Sequence, residues 1–556
     1  MRRSRHLAMG ALAVMVLVAC GGSSGGSGGT AQKVSGGTVT IDNESGTTWT
    51  CDFNPYNGAV NFLSFGTVYE PLVYDNLLTD KKTPYLASSY AWSSDEKTLT
   101  MTIRSGATWS DGQPFSADDV LYSFQLLKQN SSLDLQSVWS LLADVQQQGS
   151  DKIVFTFQSA ALPDFYQVAA QTAIVPKHIW STLSDPTAAV TKPVGTGPFT
   201  MSDCTPQNIK YLKNPSYWQK GLPYINEVDY PAFTDNDPAN QFLAAGNADW
   251  GGQFIPNIDS YFMARDRSHN HYWFPPINNV NIWINQTLPL LNDKAVRQAM
   301  AFGIDRNKVS QNGEYGYEPA GNQTGILAPT FSSWIDQSQA SKYGYKFDAT
   351  KAQSLLTTAG YSKGSDGIFK SSDGKRLSFD IISISGYTDW TASLQVIAQN
   401  LKSVGIEIKE HDIAQNDYAT ALYNGNYQLA YGTLSTSPGP SPFYELRNTL
   451  DSQTTADIGQ TAGGDYERYK NPSVDSLFDQ FAATSDSTKQ HSLMSQIQKS
   501  MLEDVPVIPV TEGVAWYEYS TKSIGGWPTQ SDPFSAPAPW NLPDWGVTLI
   551  HLYKTA

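Results

Sequence analysis

The sequence predicts an α/β protein with more than one lobe. Strand-like and helix-like segments alternate along the chain without an internal repeat, an order that mixed α/β architectures produce. At 556 residues the chain also exceeds what a single hydrophobic core supports, so two or three lobes are expected. Its charged residues are few, 16% against about 25% in typical globular chains, while aromatic residues reach 12% with 15 Trp and 29 Tyr.

Gly37-Thr-Val-Thr-Ile-Asp42 reads as a first strand. Leu99-Thr-Met-Thr-Ile-Arg104 alternates apolar and polar residues and turns at Ser105-Gly106, a strand entering a hairpin. Ser116-Ala-Asp-Asp119 before Val120-Leu-Tyr-Ser-Phe-Gln-Leu-Leu-Lys128 predicts an N-capped amphipathic helix. Asp293 to Ile304 is another helix. Thr391 to Val404 is a third, closed by Gly405 and followed by the strand Ile406-Glu-Ile-Lys409.

The N-terminal segment predicts export and anchoring. Arg2, Arg3 and Arg5 precede an apolar run, Leu7 to Ala19, too short for a bilayer span and suited to a cleaved signal. Leu17-Val-Ala-Cys20 resembles the lipobox of bacterial lipoproteins, which implies that Cys20 is lipidated and becomes the new N-terminus. The Gly/Ser tract that follows is a flexible tether, so the expected linker spans 20–36 after a signal at 1–19. Cleavage removes three arginines and makes the formal net charge of −15 more negative. That acidity argues against nucleic acid as a partner and against an electrostatic grip on anionic lipid. The expected location is the outer face of a bacterial membrane, reached through the lipid alone.

Cys51 and Cys204 then remain. In an exported chain such a pair reads as a disulfide, with two free buried thiols as the alternative. His269 and His271 stand two apart, too close for a helical i, i+4 metal pair, and no HExxH or CxxC occurs, so neither a metal nor a cofactor is expected.

Eight further motifs, in order, carry a family resemblance. They are Val68-Tyr-Glu-Pro-Leu-Val73, Ala91 to Leu99, Arg104 to Val120 with its Trp109-Ser-Asp-Gly-Gln-Pro-Phe115, Val194-Gly-Thr-Gly-Pro-Phe199, Asn214-Pro-Ser-Tyr-Trp218, Val296 to Arg306, and Leu401 to Ile406 with Glu503 to Pro509. Together they resemble the family 5 extracellular solute-binding proteins, the peptide, nickel and oligosaccharide receptors of ABC importers. Taken singly, each reads as scaffold: Gly112 and Pro114 shape a turn, Gly195 and Gly197 permit a close backbone crossing, and Asp111, Asp118 and Asp119 serve turns and caps.

The resemblance implies a periplasmic-binding-protein-like class II fold, with two hinge-linked lobes enclosing a ligand and an extra domain. Lobe I is expected at 37–75, 200–280 and 523–556, the extra domain at 76–199, and lobe III at 281–522. The implied mechanism is capture by hinge closure and delivery to the permease subunits of an importer, by a monomer. Peptide receptors of this family hold the α-ammonium with an aspartate in the loop corresponding to 431–445. Here that loop has no aspartate, and its only acid is Glu445. Aromatic segments at 270–276, 386–390, 438–444 and 526–540 resemble instead the branch that binds β-linked oligosaccharides, whose C–H faces pack on indoles.

The ligand contacts expected from this resemblance are Asn54, Tyr69, Trp273, Asn281 and Trp283 in the first half. In the second half they are Tyr387, Asp389, Trp390, Phe443, Tyr444 and Trp516. Whether Trp540 and Trp545 touch ligand or close lobe I stays open. An oligopeptide receptor on the same scaffold is the alternative. An exported glycoside hydrolase using Asp118 and Asp119 is a remote one, because adjacent acids on one helix diverge, whereas such sites need facing carboxyls about 5–9.5 Å apart.

Overall fold

The computed structural model describes residues 33–44, 46–328, 330–433 and 439–555. The signal segment, Cys20 and the tether up to residue 32 lie outside the described residues, as do positions 434–438 of the 431–445 loop.

Three principal sheets organise the chain. A seven-stranded sheet runs in the order Asn270–Tyr272, Glu518–Ser520, Trp250–Gly251, Thr38–Glu44, Glu227–Phe233, Asn208–Lys213, Phe199–Thr205. Its central strand Thr38–Glu44 is parallel to both neighbours, and the outer pairings are antiparallel. A five-stranded sheet runs Glu407–Ile413, Ser378–Ile384, Leu429–Gly432, Pro276–Ile284, Val507–Val514. Val507–Val514 is buried along its whole length, as an apolar strand covered on both faces should be. A four-stranded antiparallel sheet, Ala87–Trp92, Thr98–Ile103, Lys152–Phe157 and Leu142–Gln148, forms the third unit. Its strand Thr98–Ile103 alternates half-buried and buried residues, matching the sequence alternation.

The helices follow their local signals. Ala117–Gln129 starts where Ser116 N donates to Asp119 Oδ2 at 2.9 Å, and its Phe124 meets Phe155 of the four-stranded sheet edge-on at 4.8 Å. Asp119 Oδ1 also accepts from Lys177 N at 3.0 Å, and Asp118 pairs with Lys177 Nζ at 2.7 Å. Both acids are therefore committed to the fold. Lys294–Gly303 is capped by Asp293, which accepts from Ala295 N at 2.9 Å. The helix predicted from Thr391 begins at Thr388, one turn earlier, with Tyr387 at its cap position and Asp389 inside its first turn.

The quoted motifs lock onto one another. Arg297 donates to the carbonyls of Asp504 and Val505, and Arg306 to that of Pro509, so the 296–306 motif clamps the 503–509 motif. The Glu70 carboxyl, fully buried, accepts from Tyr217 Oη and Trp218 Nε1 at 2.8 Å each. Gly197 N donates to Val68 O at 2.9 Å, and a Cβ on Gly195 would stand 1.8 Å from that same oxygen. Cys51 and Cys204 are disulfide-bonded with Cα atoms 5.7 Å apart, tying the segment after the first strand to the edge strand Phe199–Thr205.

The chain passes between the seven- and five-stranded sheets at 273–275 and at 515–517, N-terminal of the expected boundaries at 280 and 522. These two crossings run side by side, with Trp273 N donating to Tyr517 O at 3.1 Å and Ala515 N to Pro275 O at 2.9 Å. A paired connection of this kind is where a hinge belongs.

Candidate ligand cavity

A cavity of about 340 Å³ lies between the two larger sheets, bounded on both sides by the hinge-linked units. One wall comes from the seven-stranded unit: Asn43 and Glu44 at the end of the first strand, Asn61 and Phe62, Gly252 to Phe254, and Trp540 to Leu542. The opposite wall comes from the five-stranded unit: Asn278, Val280, Glu318, Tyr387, Asp389, Trp390 and one face of the helix Gln415–Asn424. Val514 and Trp516 line it where the chain crosses between them.

Aromatic groups are distributed along both walls. Trp390 leaves 8% of its surface exposed and meets Tyr387 edge-on at 5.0 Å and Tyr431 at 5.8 Å. Trp516 contacts Phe254 at 5.5 Å and Phe274 at 4.9 Å, both edge-on. Trp540 is fixed by its Nε1, which donates to Gly252 O at 3.2 Å. Between these rings stand neutral amides. Asn236 Nδ2 donates to Thr388 Oγ1 across the two units at 3.1 Å, and Gln253 Nε2 donates to Asp42 Oδ2 at 3.2 Å. Gln415 and Asn416 add amides from the start of their helix.

The carboxyl groups in the wall are those of Glu44, Glu318 and Asp389. Burial pushes each carboxyl up, and repulsion from Asp389 adds to it at Glu44 and Glu318. Glu44 accepts from Gly46 N, and Glu318 Oε2 accepts from Thr511 Oγ1 at 2.6 Å. Directly behind the wall, Glu314 is also held up by burial first and by Glu318 and Asp389 next.

Four of the expected contacts reach the cavity: Tyr387, Asp389, Trp390 and Trp516. The other seven stand elsewhere. Asn54 is fully buried in a turn, its Nδ2 donating to the carbonyls of Pro186 and Ala188. Tyr69 is core. Asn281 and Trp283 lie on the right strand but the wrong face, because side chains alternate and it is Asn278 and Val280 that face the cavity. Trp283 packs edge-on against Tyr466 at 5.6 Å instead. Phe443 stacks on Phe481 at 4.9 Å inside the core. Tyr444 Oη donates to Pro163 O, and its ring meets Tyr166 at 5.2 Å, outside the wall. Trp273 lies half-buried against the core of the seven-stranded unit. Of the two tail tryptophans, Trp540 lines the cavity, whereas Trp545 is fully buried with Nε1 donating to Phe65 O at 2.7 Å. Glu445 faces inward, accepting from Asn279 N and Nδ2 at 3.1 and 2.7 Å.

The wall also holds residues that the sequence reading missed. On the helix Gln415–Asn424 the cavity residues are 415, 416, 418, 419, 422 and 423, a pattern of helical period. That stripe of Gln, Asn, Ala, Leu and Tyr was the available signal. Phe62, Phe254, Asn43 and Glu318 gave none, since each depends on where its loop or strand end is carried.

This architecture has known counterparts. Residues 81–456 match the bacterial extracellular solute-binding proteins, family 5, middle region, and the chain belongs to that family. It is therefore a substrate-binding protein of the ABC importer type. Among curated relatives, the oligopeptide-binding protein AppA of Bacillus subtilis is 26% identical over 417 residues, covering 73% of each chain. The nickel-binding periplasmic protein of Escherichia coli is 20% identical, covering 84% of this chain and 88% of its own. A mannohexaose-bound periplasmic oligopeptide-binding protein of Thermotoga maritima superposes with a TM-score of 0.87 at 26% identity, covering 93% of this chain and 98% of its own. B. subtilis AppA in complex with a nonapeptide shares the fold, with a TM-score of 0.75 at 21% identity. Among the described residues no helix is long and apolar enough to cross a membrane.

Proposed function

We propose that this protein is a lipid-anchored importer receptor that closes on a neutral, β-linked oligosaccharide. The observation that carries the reading is the composition of the cavity wall. Aromatic rings from both units, Phe62, Phe254 and Trp540 on one side and Tyr387, Trp390 and Tyr418 on the other, share the wall with amides, as a ligand with flat C–H faces and a hydroxyl edge requires. The mannohexaose bound to the T. maritima relative supports it. Lobe I is then the seven-stranded unit, lobe III the five-stranded unit, and the 76–199 segment the extra domain. Ligand contacts that favour the closed state over the open one shift the hinge at 273–275 and 515–517, and the closed form is what a permease engages. Cys20 carries the lipid, and a Cys20→Ser change releases the protein from the membrane fraction.

A second reading, a peptide receptor, is favoured by one feature: Glu44, Glu318 and Asp389 offer carboxyls that an α-ammonium needs. Intrinsic tryptophan fluorescence of the chain from residue 30 onward decides between them. It is titrated with β-linked gluco-, manno- and xylo-oligosaccharides and with di- to pentapeptides. Saturable binding of one sugar series at micromolar or lower concentration supports the receptor proposed; binding of peptides alone overturns it, and slow turnover of a bound sugar overturns the receptor class.

A further inference from the structure

The wall polarity of the cavity is one-sided. Its charged-type groups are Glu44, Glu318 and Asp389, with Asp42, Glu314 and Glu518 packed behind them. Among the described residues that line it there is no Lys, Arg or His. The unpaired wall atoms have the same sense. Asn43 is 3% exposed; its Nδ2 donates to Tyr230 Oη at 3.1 Å, and its Oδ1 has no partner. Asn278 Oδ1, beside Gly513, is likewise unpartnered. Behind them Asp42 Oδ1, Glu314 Oε2 and both Glu518 oxygens are unpartnered too. Every one of these atoms is an acceptor.

We infer that the cavity is a charge filter, which admits donor-rich glycans that are neutral or carry amines and rejects anionic ones such as oligouronates. This rests on the oligosaccharide reading and sharpens its substrate class. Hydroxyls and ammonium groups supply the hydrogens that these unpartnered acceptors lack. A carboxylate supplies none and brings a charge into a buried space with no Lys, Arg or His to pair with it, which costs its desolvation and opposes any ionisation of the wall carboxyls. The carboxyls already held up by burial show how little negative charge the space tolerates.

Calorimetry with four β-1,4-linked hexamers tests this: mannose against mannuronate, and glucose against glucosamine. A uronate at every position leaves no orientation in which the carboxylates escape the wall. The expected result is mannuronate binding at least 100-fold weaker than mannose, and glucosamine binding no weaker than glucose. In the double variant Glu318→Gln/Asp389→Asn, checked for fold by circular dichroism, the mannose-to-mannuronate ratio falls at least tenfold. Mannuronate binding within threefold of mannose in the wild-type protein overturns the filter while leaving the oligosaccharide reading intact. Should no hexamer bind while peptides do, the oligosaccharide reading fails. Peptide amides against the matching free acids then decide the filter: amides at least tenfold tighter uphold it, and equal affinity overturns it.

Discussion

At the scale of single residues, the tryptophans separate by which way the backbone turns them. Trp390 and Trp283 have the same chemistry, yet one stands in the cavity wall and the other has no exposed surface. Trp390→Ala removes a stacking face and should weaken ligand binding by roughly 10- to 100-fold. Because Trp390 is 8% exposed and packs on Tyr387 and Tyr431, the change should also cost about 3 kcal/mol of stability, so the contrast with Trp283 lies in the affinity. Trp283→Ala leaves a core void and should cost about 3–5 kcal/mol of stability. Titration and thermal melting of both variants check the contrast, and equal affinities for Trp390→Ala and the wild type would remove Trp390 from the site. Of the contacts expected from the sequence, Tyr387, Asp389, Trp390 and Trp516 line the candidate cavity, and each sits at a structural boundary, a helix start or a chain crossing. Asn281, Trp283 and Phe443 fall outside the cavity wall, and aromatic or amide chemistry is face-blind: nothing in one sequence says which side of a buried strand or helix faces the cavity. Asn43 and Glu318 were invisible for a related reason, since their place in the wall comes from tertiary packing alone.

At the scale of elements, the motifs that made the fold legible prove to be its fasteners rather than its site. Arg297 and Arg306 hold the carbonyls of 504–509, Glu70 holds Tyr217 and Trp218, and the Gly195–Gly197 turn rides on Val68. Residues that fix backbone crossings tolerate few replacements, which is why such motifs announce architecture while the wall that chooses the ligand stays silent. Gly195→Ala would drive a methyl into the Val68 carbonyl, so it should cost about 2–4 kcal/mol or abolish soluble expression. A melting temperature unchanged by Gly195→Ala would mean that the crossing relaxes freely. The Cys51–Cys204 bridge acts on a different segment, closing a sequence separation of 153 residues. Its removal by Cys51→Ser/Cys204→Ser should lower stability by about 2–5 kcal/mol, read as a lower denaturant midpoint for the variant than for the oxidised wild-type protein. Ligand affinity should change little, because neither cysteine lines the cavity.

At the scale of the whole molecule, an acidic chain has put an unusual number of its carboxyls inside. Glu70, Glu445 and Asp544 are fully buried, and burial raises each to about 7 against hydrogen bonds that pull it down. Unfolded, the same groups titrate near 4. Between those values the folded protein holds more protons than the unfolded chain, so stability falls as pH rises. The contribution of these groups is complete below about pH 4 and is lost as pH passes through 7. Groups that work in the opposite sense, such as Asp336 and Asp373 with carboxyls lowered to about 2, change protonation only in acid and leave this window untouched. The melting temperature should therefore drop by roughly 5 °C between pH 5.5 and pH 8.5 at constant ionic strength. Glu445→Gln keeps an acceptor for Asn279 N and Nδ2 while removing the titration, so it should flatten that slope. A melting temperature that rises with pH would show that these carboxyls are ionised in the folded protein, paired with donors that the present geometry does not supply.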